Sequence, residues 1–381
     1  MKKNYLLTPG PTPIPASVLE AEARPIIHHR TPQFQVYLKE VEENLKYVFQ
    51  TKNDVYLLAS SGTGAMEAAV ANLLSSGDQV ITVQSGKFGE RWTEICKAYG
   101  VNTTVIDVEW GKAVESQKIE ELLSQNSDIK VVFTTLCETS TGITTDIKAI
   151  AQVTKHKNVV LVVDAISGLG AIDLKTDDWG VDVVVSGSQK GLMLAPGLGF
   201  ISLSSKAWKL VESSRLPKYY FDLKKSKKSL EKTDTPFTPA ISLVIALNEA
   251  LKLIKQDGLE NIFKKNSKLA HSLRMSMQAI GLELFASAHC QSDAITAVKV
   301  PQNIDGEKLV KIMRDEYGVT IAGGQDEMKG KIFRIAHMGY INEYDLVLGI
   351  SCLETVLHRL GYTFELGQAV KTFLNIFNKE Q

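Results

Sequence analysis

The chain has 381 residues, 44% hydrophobic and 23% charged, enough for two domains or one large domain with a satellite, and for a sizeable buried core. Lys plus Arg and Asp plus Glu each number 43, so the formal charge is zero. A balanced chain offers no global field to a polyanion, which argues against nucleic acid as the main partner, and its hydrophobic content argues against disorder.

In chain order, the N-terminus reaches Pro9-Gly10 before an apolar signal-peptide core can form. His28-His29 lacks metal-ligand spacing and reads as a structural or entrance-loop feature. Cys96, Cys137, Cys290 and Cys352 are far apart and form no CxxC pair, which excludes a disulfide scaffold or zinc ribbon by spacing and fits a reducing compartment. From about residue 55 to 205, short β-branched runs alternate with helical stretches: Val55 to Leu58, Val80 to Val83, Lys130 to Phe133, Val159 to Val163, Val183 to Val185, then a strand at 198–203. Continuous apolar strands of this kind belong to a parallel sheet covered by helices on both faces. Val159 to Val163 is the most apolar stretch and is cut by Asp164, far short of the ~20 residues that cross a bilayer. The expectation is a cytoplasmic protein with no membrane association.

Residues 215–239 break the α/β pattern. They are basic and aromatic, lead into Thr235-Pro236-Phe237-Thr238-Pro239, and read as a solvated connecting loop. Helical periodicity returns at Ile241 to Ile254 and Leu259 to Ile280, punctuated by Gly258 and Gly281. A smaller α+β unit follows, with strands near 294–300, 319 and 332, a helix at 305–317 and a final helical region at 342–360. Cys352 falls in that last pattern and reads as core.

Ligands of open parallel sheets bind beyond the carboxyl ends of the strands, so the residues after each strand matter most. Ser60-Ser61-Gly62-Thr63-Gly64 opens an Ala-rich helix. Small residues there let backbone N–H groups approach an anion, with hydroxyl donors beside them, although neither a Walker loop nor GxGxxG is present. Thr134 to Gly142 is hydroxyl-rich and by itself no more than a turn. Asp164 ends an apolar strand, where an unpartnered carboxylate is costly; a metal ligand or a helix cap is the other reading. Lys190, in Ser186-Gly187-Ser188-Gln189-Lys190-Gly191, follows another strand; withdrawn from water, its amine can lose its proton and act as a nucleophile. An anion cradle, a buried carboxylate and a lysine on one sheet edge form the inventory that pyridoxal phosphate requires: a phosphate site, a partner for the pyridinium nitrogen, and an amine for the aldehyde.

The chain resembles the class V pyridoxal-phosphate aminotransferases, nearest to the alanine–glyoxylate and serine–pyruvate (serine–glyoxylate) branch. The resemblance runs through Leu6 to Pro13, His28 to Pro32, residues 61–69, Glu138 to Gly142, Val163-Asp164-Ala165, Ser186 to Lys190, Thr235 to Pro239 and Arg334-Ile335-Ala336. It implies a fold-type I α/β architecture, with a mostly parallel seven-stranded sheet flanked by helices and a smaller α+β C-terminal domain. The implied organisation is an N-terminal segment (1–20) contributing to the active site and dimer, a large cofactor-binding domain (21–255) and a small domain (256–381).

It also implies roles. Lys190 bonds the cofactor aldehyde and shuttles protons, and Asp164 faces the pyridinium nitrogen. Ser61, Gly62 and Thr63 cradle the phosphate. Phe88 stacks on the ring where many relatives carry Trp or Tyr, and a core Phe is the plain alternative. Thr139 and Gln189 touch ring substituents. Arg334 grips the substrate α-carboxylate through its planar fork, and an arginine in the apolar run Ile332 to Ile335 is otherwise expensive. Thr238 reaches the phosphate in a neighbouring subunit, making a homodimer with shared active sites. Thr235 stands where some relatives have Tyr and is not assigned. The implied reaction is ping-pong transfer from alanine or serine to a 2-oxo acid, glyoxylate or pyruvate. The rivals are a cysteine desulfurase-like lyase, which wants a mobile cysteine loop that Cys290 and Cys352 lack, and a non-catalytic subunit retaining the fold.

Overall fold

The computed structural model describes residues 3–379. A seven-stranded sheet forms the centre, in the order Val55–Leu58, Gly199–Leu203, Val183–Gly187, Val160–Asp164, Ile129–Thr135, Gln79–Gln84, Asn102–Asp107. Gly199–Leu203 runs antiparallel to both its neighbours, and the other pairings are parallel. Successive side chains of a strand point to opposite faces, and here both faces are apolar. In Val160–Asp164, Val160 and Val162 join a core with Met66, Trp92 and Phe133, while Leu161 and Val163 join a core with Phe34, Leu45 and Leu247 on the other face. Helices Gly62–Leu73 and Lys87–Ala98 cover the first face; Pro32–Phe49 and Ile241–Asp257 cover the second.

The C-terminal unit has its own core, built on Ile295–Lys299, Ile332–Ala336 and Ala322–Gly323 in an antiparallel sheet. Helix Leu259–Ala279 begins against the large core at Leu259 and continues against the small one at Leu269, Leu273 and Met277. The N-terminal strand Tyr5–Leu6 pairs in parallel with Val319–Thr320, and Leu7 is buried in the C-terminal core.

Three elements depart from the sequence expectation. The 215–239 segment is not wholly loop: Leu223–Leu230 is a helix, begun by the Asp222 carboxylate accepting the N–H groups of Lys224 and Lys225, with Leu223 and Ser226 buried. Asn102–Asp107 is an additional strand at the sheet edge, hidden by its polar residues. A further helix, Gln368–Lys379, follows the 342–360 region; the Glu354 carboxylate accepts the N–H groups of Gly367 and Ala369 at its start.

Candidate active site

The carboxyl ends of neighbouring strands meet at one cavity, whose walls include Ser61, Gly62, Thr63, Phe88, Asp164, Gln189 and Lys190. Asp164 is the last residue of its strand and 3% exposed. Its Oδ1 accepts the Ile166 N–H at 2.8 Å. Burial pushes its carboxyl up to about 7, opposed by that hydrogen bond and by the charges of Arg91 and Lys190. Lys190 follows the adjacent strand and is 8% exposed. Burial pulls its ammonium down to about 8, with Asp164 opposing and Arg334 and Arg91 adding to the fall. Its Nζ donates to the Pro9 carbonyl.

Ser61 is the N-cap of helix Gly62–Leu73, and its hydroxyl makes no cap hydrogen bond. The first N–H groups of any helix lack intrahelical acceptors, so those of Gly62 and Thr63 are available at the cavity. The bare backbone matters. A Cβ on Gly62 would lie 2.5 Å from Ile166 Cδ1, and one on Gly187 would lie 3.3 Å from the Gly62 nitrogen. The Gln189 amide also faces a buried environment, and its Oε1 has no hydrogen-bond partner.

Phe88 sits in the first turn of helix Lys87–Ala98. That turn is held by Glu138, fully buried just beyond strand Ile129–Thr135, whose Oε2 accepts the N–H groups of Phe88 at 3.0 Å and Gly89 at 2.8 Å. Its Oε1 accepts from Ser140 N–H and Oγ–H. Arg91 is one turn further on, its guanidinium carbon 5.0 Å from the Phe88 ring centroid and its Nη1 donating to Thr63 Oγ1 at 3.2 Å.

Arg334 is 5% exposed on strand Ile332–Ala336. Its Nη1 donates to the Thr139 carbonyl at 2.6 Å, while Nε and Nη2 donate to the Gly323 carbonyl at 3.0 and 2.7 Å. Burial lowers its pKa to about 10, which leaves it charged at neutral pH. The buried Thr139 thus joins Arg334 to the cavity: its carbonyl takes the guanidinium, and its Oγ1 lies 3.5 Å from Oγ of Ser167, a cavity-wall residue.

Thr238 is not in this cavity. It is exposed and lines a separate groove with Leu57, Tyr220 and Phe237, as does Thr235. Cys290 and Cys352 are buried away from the site, and Cys352 lies within helix Glu343–Arg359. His28 and His29 stack on each other, with ring centroids 4.8 Å apart.

Sequence reasoning missed Arg91, Cys137, Ile166 and Ser167 in the cavity wall. Arg91 had a usable signal, since it stands three residues after Phe88 and residues so spaced share a helix face. Cys137, Ile166 and Ser167 follow strand ends directly, which places them at the ligand edge of the sheet. Burial pushes the Cys137 thiol up to about 12, so it is a neutral wall group.

The aminotransferase class V family model matches residues 4–337. The soluble hydrogenase 42 kDa subunit of Anabaena cylindrica is 43% identical over 99% of both chains. The L-aspartate–glyoxylate aminotransferase of Paracoccus denitrificans is 36% identical over 97% of this chain and 94% of its own. Among solved structures, ureidoglycine–glyoxylate aminotransferase from Bacillus subtilis superposes with a TM-score of 0.94 at 28% identity, covering 99% of each chain.

Proposed function

The chain belongs to the class V aminotransferases, enzymes that use pyridoxal phosphate, and from that premise we propose that it moves the amino group of a small amino acid, alanine or serine, to glyoxylate or pyruvate by a ping-pong mechanism. The observation that carries this reading is that Lys190 and Asp164, at the ends of adjacent strands, line one buried cavity with the helix-opening residues Ser61, Gly62 and Thr63. Glyoxylate stands in the names of both the Paracoccus relative and the Bacillus structure, which supports it as acceptor. The donors in those names differ, and the choice of alanine or serine rests on the resemblance to the alanine–glyoxylate and serine–pyruvate branch.

The cavity's residues fit the cofactor. Space that a Cβ at Gly62 or Gly187 would crowd leaves backbone N–H groups open to an anion, and a buried amine and a buried acid stand in the same wall. When bound, the group supplies an electron-withdrawing ring that makes a substrate Cα–H acidic enough to remove.

The surroundings of these residues support the roles that the resemblance implies. Lys190 would hold the cofactor through its aldehyde, and its amine, withdrawn from water so that burial favours the neutral form, is suited to take a proton from substrate Cα and return it to carbon. Asp164, buried at its strand end, would hold a proton on the ring nitrogen through a charge-assisted hydrogen bond. Arg334 orients the substrate carboxylate with the N–H edge that Thr139 and Gly323 leave over. Phe88 would hold the ring by stacking, Gln189 and, from behind Ser167, Thr139 would meet its substituents, and Ser61, Gly62 and Thr63 would bind the phosphate. The segment at Pro9-Gly10 covers Lys190 and keeps water from its amine.

The reading includes a cytoplasmic homodimer in which Thr238 completes the neighbouring subunit's phosphate site. Its exposed position in a groove outside its own chain's cavity supports this. Among the described residues no helix is long and apolar enough to cross a membrane.

A half-reaction screen tests the proposal. Purified holoenzyme is mixed with one amino acid at a time, and the absorbance change from the aldehyde to the amine form of the cofactor is followed; oxo acids are then added to reverse it. Alanine or serine is expected to drive the change and glyoxylate or pyruvate to reverse it. Conversion by neither alanine nor serine would overturn the donor assignment.

A further inference from the structure

The cavity holds a cation that none of the assigned roles uses. Arg91 lines it alongside Thr63 and Lys190, and among the described residues it enters no ion pair. Arg91 is half-buried in that wall, and its guanidinium, which contacts Phe88 and Thr63 but, among the described residues, no carboxylate, is open to a ligand's charge. The acids nearby are committed elsewhere. Glu138 is consumed by the N–H groups of Phe88, Gly89 and Ser140 and the Ser140 hydroxyl, and Asp164 lies beyond ion-pair distance.

The anion cradle has the opposite deficit. Ser61, Gly62 and Thr63 contribute only neutral donors, and a helix N-terminus supplies roughly half a positive charge. A bound phosphate monoester carries about −1.5 to −2 charges at neutral pH. Lys190, the other cation in the wall, is engaged at the aldehyde. The Nη1 of Arg91 already sits 3.2 Å from Thr63 Oγ1, at the cradle itself, and its guanidinium carbon lies over the Phe88 ring, 5.0 Å from the centroid.

We propose that Arg91 is the counter-charge of the cofactor's phosphate. Phe88 and Arg91 rise from the same helical turn, whose start is fixed by the Glu138 carboxylate, so ring and cation move together. This inference rests on the reading of Ser61 to Thr63 as the phosphate cradle.

The test compares equilibrium binding of pyridoxal phosphate and of pyridoxal, which has the same aldehyde but no phosphate, to apo-protein of wild type, Arg91→Gln and Arg91→Lys. Wild type is expected to prefer the phosphorylated form. Arg91→Gln should weaken pyridoxal phosphate binding about 10- to 100-fold, the range of one charge-assisted hydrogen bond, and leave pyridoxal within about 2-fold. Arg91→Lys, which keeps the charge without the fork, should fall between, and it carries the test alone if Arg91→Gln does not fold. An equal loss for both ligands would overturn the proposal by showing that Arg91 acts only through Phe88 or the fold. Unchanged cofactor binding with a raised KM for dicarboxylic amino acids would overturn it in favour of a substrate-reading arginine. A wild type with no preference between the two ligands would instead remove the cradle assignment on which the proposal stands.

Discussion

Gly10 crosses directly over the side chain of Lys190, with φ at +140° and no space for a Cβ between its backbone and the lysine's terminal carbons. The crossing is tied at both sides. Leu7 is hydrogen-bonded into the C-terminal unit through Thr320 and Ala336, and Thr12 bonds the backbone of Gln189 and Lys190. The N-terminal segment therefore forms part of the wall around the reactive amine, and glycine alone has both the conformation and the size to pass there.

Gly10→Ala should damage the site more than the fold. The added methyl must push the strap or the lysine aside, so turnover should fall at least about 10-fold, a one-to-two kcal/mol misplacement at the reacting atoms. The apo-protein's thermal midpoint should drop by only a few degrees, roughly what about 1 kcal/mol does in a chain this long. Steady-state kinetics and calorimetry on the same preparation check this; a large loss of stability with kcat retained would contradict it.

Lys190→Met should abolish turnover and, after borohydride treatment, leave no cofactor attached to the peptide containing residue 190, as read by mass spectrometry. It should also stabilise the apo-protein in a pH-dependent way. The folded ammonium sits near about 8 against 10.5 for a free lysine, so between those values the unfolded chain binds more protons and stability rises with pH. The burial cost is complete below about 8. The stabilisation gained by Lys190→Met should be largest there and fade as pH approaches 10.5.

Asp164→Asn should retain some cofactor and lose about 10²- to 10⁴-fold in rate, the scale of a misassigned proton at a catalytic group. Its stability signature has the opposite pH sense. The folded carboxyl titrates near about 7 against 3.8, so the native state holds the extra proton between those values and stability falls as pH rises through them. Asn should stabilise apo-protein above about 7 and give little near pH 4. Thermal melts across that range measure it; a pH-independent difference would refute the assignment.

Arg334→Lys should raise KM for amino acid and oxo acid alike, about 10- to 100-fold, with a smaller change in kcat, because both substrates present a carboxylate to the same fork. Lysine cannot donate to the carbonyls of Thr139 and Gly323 and still offer a planar pair of N–H groups. An effect on one substrate only would count against a shared carboxylate site.

Much of this protein was legible along the chain. The apolar runs ending in Asp164 and just before Lys190 show buried strands whose carboxyl ends carry chemistry, because both the two-residue alternation of a strand and the cost of burying a charge are local properties. The Gly and hydroxyl residues at 60–64 show a helix opening able to meet an anion for the same local reason. Distance in sequence hid the rest. Nothing near Pro9-Gly10 says that it lies over Lys190, and nothing near Glu138 says that its carboxylate holds the turn bearing Phe88 and Arg91. Those relationships arise from how far strands and loops are carried by the packing of the sheet's two apolar faces. Sequence alone settled which residue types can do the chemistry; only tertiary structure decided which of them meet, since a hydrogen bond depends on ångströms that no spacing along the chain encodes.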